Sequence, residues 1–149
     1  MAIARGAGTE IIRSISLAIV DGATSNLIIG EQHHIYTVLS VIFYAKGIQA
    51  SGNYVNMRLV GYDSKAGTTA TTHYIFRQDM SQQQTFVWND KFSFNGYEPT
   101  PFTGPMDDAT KQNAIADQGS SVAQNLVVYS EHQDDNFDVI CTYIDQNNA

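Results

Sequence analysis

The sequence predicts an all-β fold: a single-domain antiparallel β-sandwich, jelly-roll or Ig-like, of about eight strands with a flexible N-terminal arm and one long loop. Three observations lead there. Segments rich in β-branched and aromatic residues alternate apolar with polar from Glu10 to the end, Gly, Asn and Asp punctuate them at 8–14-residue spacing, and helical periodicity is nearly absent. The length, 149 residues, matches one domain that buries a core without disulfides or metals.

The first strand is expected over Glu10–Val20, with Ile11, Ile15, Leu17 and Ile19 on one face, Ser14, Ser16 and Ala18 on the other, and a turn at Asp21-Gly22. A short strand follows over Asn26–Ile29. In His34–Ala45 both alternation sets are largely apolar, Ile35, Leu39, Val41 and Phe43 against Tyr36, Val38, Ile42 and Tyr44, which predicts a strand buried on both faces. In an antiparallel sandwich another subunit is a natural source of that second burial, so the segment motivates an oligomer. Gly47–Asn53 turns into a strand at Tyr54–Tyr62, and Asp63–Gly67 turns into another at Thr71–Asp79. Gln84–Phe94 alternates with Phe86, Trp88, Phe92 and Phe94 on one side, Asp90 being the exception, and ends at Asn95-Gly96. From Gly96 to Val122 runs a long connection with all three prolines, Pro99, Pro101 and Pro105, and one or two helical turns near Asp108–Ala116. Strands at Ala123–Glu131 and Asn136–Ile144 close the domain, which spans residues 10–149. Residues 1–9, with Gly6 and Gly8 and little to bury, form the arm.

Charge narrows the partners. Charged residues make up 15% of the chain, below the roughly 25% of ordinary soluble domains, and Ser, Thr, Asn and Gln fill the difference. Amides and hydroxyls are cheaper to desolvate than ions, so such a surface suits close or wet contact with neighbours. Residues 1–106 balance seven acids with seven bases, whereas residues 107–149 set eight acids against Lys111, so the whole net charge of −7 lies in the last third. That sign repels phosphate, and neither nucleic acid nor an anionic membrane is an expected partner. No apolar stretch approaches the ~20 residues of a membrane span, and the N-terminus lacks the charged-then-apolar order of a signal peptide.

No motif carries catalysis, and no cofactor or metal is expected. His33 and His34 are adjacent on a strand and point to opposite faces, so they cannot ligate one ion together. No strained nucleophile elbow occurs. Asp134, Asn136 and Asp138 have the spacing of a calcium loop with Asp145 in the twelfth position, but Val139 replaces the turn glycine and Phe137–Tyr143 alternates like a strand. Cys141, the only cysteine, shares a face with Phe137 and Val139 and reads as a small core residue. Trp88 sits on an apolar face and reads as core, while Tyr54, Tyr62 and Tyr97 near strand ends are candidates for sugar or protein contact.

Two stretches carry a resemblance: Ala2 through Gly6 with Glu10 through Arg13, and Phe86 through Pro99. They resemble small virion structural proteins of tailed bacteriophages. The resemblance implies a capsid decoration or cement protein, non-enzymatic, often trimeric, bound outside the shell to the major capsid protein or other virion proteins and located in the virion. Candidate interface residues are Ile3 and Arg5 in the arm, Tyr36 and Tyr44 on the doubly apolar strand, and Tyr97, Pro99 and Phe102 at the start of the long loop. The alternative is a glycan- or receptor-binding sandwich of a phage tail, neck or fibre.

Overall fold

A computed structural model describes residues 9–20, 23–48, 54–62, 71–97, 123–132 and 134–147. They form nine strands: β1 (Thr9–Ile19), β2 (Thr24–Ile29), β3 (His34–Gly47), β4 (Tyr54–Tyr62), β5 (Thr71–Asp79), β6 (Thr85–Trp88), β7 (Phe92–Asn95), β8 (Asn125–Ser130) and β9 (Asn136–Asn147). Among the described residues no helix is long and apolar enough to cross a membrane. The expected arm up to residue 8, most of the long connection (98–122) and its helical turns lie outside the described residues.

All pairings are antiparallel. The front sheet runs β1-β9-β3-β6, with β7 also on β3, and the back sheet runs β2-β8-β4-β5. β6 and β7 lie along the same edge of β3, against Val41–Tyr44 and Ile35–Val38 respectively. Counted as one interrupted strand, they leave two four-stranded sheets in which β1, β2, β3 and β4 alternate between sheets and the first and last strands are neighbours. That wrapping is a jelly roll, which settles the choice between jelly-roll and Ig-like order.

Alternation explains which residues go inside. Ile15, Leu17 and Ile19 of β1 face the core as expected, joined by Phe43 of β3, Val55 and Met57 of β4, Leu126 and Val128 of β8, and Phe137, Val139 and Cys141 of β9. Burial of this set at ~25 cal/mol per Å² of apolar surface is the dominant stabilising term. Desolvation pushes the Cys141 thiol up to about 12, so it packs as a neutral hydrophobe.

Two sequence expectations are corrected by one irregularity. β3 is not buried on both faces: a bulge between Val38 and Ser40 shifts the phase at Leu39, so the core takes Tyr36 and Val38 before the bulge and Val41, Phe43 and Ala45 after it. Both alternation sets look apolar because each serves the core for half the strand. Opposite the bulge, the expected continuous strand Gln84–Phe94 breaks at residues 89–91, where Asp90 had already interrupted the pattern. Phe86, Trp88, Phe92 and Phe94 still share the inner side.

Close backbone approach fixes one end of the sandwich. The Gly96 N–H donates to the His34 carbonyl (2.7 Å) and the Gln124 N–H to the Gly96 carbonyl (2.8 Å). A Cβ at Gly30 would overlap the carbonyl oxygens of Gly96 and Gln124, and one at Gly96 would overlap that of Glu31. Only glycine fits where these three segments meet.

Candidate functional site

Three surfaces hold the chemistry among the described residues: the outer face of each sheet and a cleft between their edges. On the front sheet the register aligns Ser16, Ile140, Ile42 and Val87 in one cross-strand row, with Ile12, Ile144, Thr37 and Ser93 in another and Ala18, Asp138, Tyr44 and Thr85 in a third. Ile12 is 70% exposed, Val87 48% and Ile140 46%. Within these rows Asp138 alone carries a charge. Ser and Thr hydroxyls fill the gaps, with Thr37 and Ser93 bonded to each other at 2.8 Å. Glu10 near one end and Asp138 and Lys46 near the other are the charges on this face, which is otherwise hydroxyl-bearing and apolar in patches, so covering it desolvates few strong polar groups.

The back sheet's outer face differs in kind. Arg58 of β4 stands opposite Tyr74 of β5, its guanidinium 4.9 Å from that ring's centroid and 4.4 Å from the ring of Tyr129 on β8. Its Nε donates to Asn56 Oδ1 at 2.7 Å. Arg77 lies 3.8 Å over the ring of Tyr54 and binds Glu131 through two contacts, Nε to Oε2 at 2.6 Å and Nη2 to Oε1 at 3.2 Å. The hydrogen bond to Glu131 raises the Arg77 pKa further. Asn56 is fully buried, and its Nδ2 has no hydrogen-bond partner among the described residues. Aromatic faces thus orient two guanidinium planes, and one of those cations is neutralised.

Between β1 and β2 lies a cleft of about 320 Å³ lined by Arg13, Asn26, Glu31, Tyr36, Tyr143 and Asp145 among others. Asp145 accepts from Arg13 Nε (3.0 Å) and lies 2.5 Å from His34 Nδ1, while His34 Nε2 is 3.4 Å from Glu31. The Tyr36 hydroxyl accepts the Glu31 N–H at 3.0 Å. Burial raises the Tyr36 and Tyr143 hydroxyls, so neither is an acid near neutral pH. Arg13, His34, Glu31 and Asp145 hold one another, and the cluster clasps β1, β9 and β3 together. The calcium-like spacing is pulled apart by β9, since Asp138 and Asp145 are seven residues along one extended strand, about 23 Å.

Of the candidate interface residues, Tyr44 sits on the front outer face. Tyr36 is 2% exposed, its ring packed 5.4 Å from Phe94 inside the sandwich, because the bulge puts it on the core side. Tyr97 is half-buried and bridges Ala123. Ile3, Arg5, Pro99 and Phe102 lie outside the described residues. Trp88 packs inside, stacked on Phe76 at 5.5 Å, as expected. The cluster around Arg58 was not foreseen: its members come from three strands that converge only through the back-sheet order, and polar alternation within β4 was its one sequence signal.

No protein-family model and no curated protein matches this chain. Among solved structures it is similar to a protein of Bacillus endospore appendages, described as a family of disulfide-linked pili, at 10% identity and a TM-score of 0.45, covering 100% of this chain and 97% of that one. It is similar to the C-terminal family 22 carbohydrate binding module of Clostridium thermocellum Xyn10B at 14% identity and a TM-score of 0.47, covering 96% and 84%. It also resembles a chain of the infectious bursal disease virus Gx strain at 10% identity and a TM-score of 0.44, covering 96% of this chain and 33% of the other.

Proposed function

We propose that this chain is a non-enzymatic structural protein of a virion, decorating or cementing the capsid exterior and stabilising the assembled shell. The observation that carries the assembly part is the sparsely charged outer face of the front sheet, apolar in patches, with Ile12, Val87 and Ile140 open to solvent. A sandwich needs one apolar layer, the one between its sheets; a second, on an outer face, is expected where another protein covers it. The resemblance of the opening and Phe86–Pro99 stretches supports a virion as the setting. A protein that binds only the assembled lattice stabilises it by mass action, and a homotrimer on a lattice symmetry axis adds avidity. In this reading the arm and the 96–122 loop add lattice contacts, and partners are the major capsid protein or other virion proteins.

The copy number of this protein relative to the major shell protein, measured by quantitative mass spectrometry of purified particles, tests the proposal. Hundreds of copies per particle are expected for a lattice-wide role; absence from particles overturns it. A second reading, a glycan- or receptor-binding module of a tail, neck or fibre, is favoured by one observation: Tyr54, Tyr74 and Tyr129 share the back sheet's outer face with Arg58 and Arg77. A dozen copies or fewer per particle would favour it.

A further inference from the structure

We propose that the back sheet's outer face recognises the carboxylate of an acidic sugar, a uronic or sialic acid unit of a glycan, through Arg58. The inference rests on the second, glycan-binding reading and supplies its ligand chemistry. Of the three arginines in the described residues, Arg13 is paired with Asp145 and Arg77 with Glu131. Arg58 has no carboxylate partner among those residues. It is nevertheless held in place: two tyrosine rings fix its plane and Asn56 takes its Nε proton. The terminal nitrogens, on the far side of the guanidinium from the chain, keep their N–H groups for a ligand.

Beside it the Asn56 amide, fully buried, anchors the guanidinium by accepting from Arg58 Nε through Oδ1. A fixed guanidinium fork with no carboxylate partner among the described residues, the nearby Glu131 being taken by Arg77, matches a planar carboxylate in charge and shape. Tyr74, 59% exposed, adds a ring against which a pyranose can lie, with Asn26 in the same cross-strand row as Arg58 and Tyr74. Charge alone would suit an acidic peptide equally; the aromatic surface favours a sugar.

The test is calorimetric binding of trigalacturonic acid against its full methyl ester, and of sialyllactose against lactose, with the whole chain and its Arg58→Gln and Tyr74→Ala variants. At least one acidic sugar is expected to bind about ten-fold or more tightly than its neutral counterpart, to lose about ten-fold in Arg58→Gln and several-fold in Tyr74→Ala, and to weaken with salt. Unchanged thermal melting of Tyr74→Ala, a surface position, keeps the result independent of folding. Equal binding of acidic and neutral sugars overturns the carboxylate assignment and leaves the glycan reading standing. No binding of any of the four overturns both, and polyglutamate binding as tightly as the sugars overturns the sugar assignment.

Discussion

The two outer faces of this jelly roll are built on the same backbone geometry and carry opposite chemistry. On the front sheet, rows of Ile, Val, Ser and Thr are interrupted by few charges, Glu10, Asp138 and Lys46, and leave aliphatic side chains in solvent. On the back sheet, Arg58 and Arg77 lie on tyrosine rings around a buried asparagine. A flat aliphatic surface gains by excluding water over a broad area and discriminates weakly; an array of fixed donors gains little area but selects charge and geometry. The front face therefore suits a permanent protein contact and the back face a small polar ligand. Their shared core means that either can be altered without the other, provided the sandwich stays folded.

Substitutions can break or sharpen this contrast. The largest effect is expected from the layer common to both: Phe43→Ala, fully buried against Phe76 and Phe86, should destabilise by about 3–5 kcal/mol in chemical denaturation and weaken both faces together. Gly96→Ala forces a Cβ into the Glu31 carbonyl and should cost about 1–3 kcal/mol, read as a lower melting temperature. Arg58→Gln removes the donor to Asn56 Oδ1, with an expected loss of about 1 kcal/mol. It should leave front-face assembly untouched; a matching loss of assembly would show that the faces are coupled.

A last prediction isolates buried chemistry from both surfaces. Burial raises the Cys141 thiol to about 12, so the folded state keeps a proton that the unfolded chain releases near pH 8.5. The stabilisation from this group is complete below that pH and is lost as pH rises toward 12. Tyr36 and Tyr143, raised by burial, add their own loss above about pH 10. In Cys141→Ala the decline between about pH 8.5 and 10 should flatten, as read from denaturation midpoints against pH.

Much of the sandwich could be read from single strands. The faces of β1 and the inward set Phe86, Trp88, Phe92 and Phe94 follow from period-2 alternation, as does the core position of Cys141. Strand order did not, because it depends on pairings between residues far apart in sequence, such as Ile12 with Ile144. β3 misled for a local reason: a bulge carries no single-residue signature, and its phase shift at Leu39 mimics burial on both sides. That shift also sent Tyr36 to the core while Tyr44 stayed outside. The back-face cluster was hidden because Asn56, Arg58, Tyr74 and Tyr129 each look like ordinary solvent-facing positions until three strands bring them together.

The most direct test of the central claim is co-sedimentation with purified virus particles from the source, comparing the whole chain with Val87→Glu/Ile140→Glu on the front face and Arg58→Gln on the back. Both front positions are about half exposed, so the double variant should fold with a loss of about 1 kcal/mol, checked by thermal melting. The account predicts that the folded double variant stays in the supernatant while the unmodified chain and Arg58→Gln pellet with the particles. A double variant that pellets as completely as the unmodified chain would contradict it.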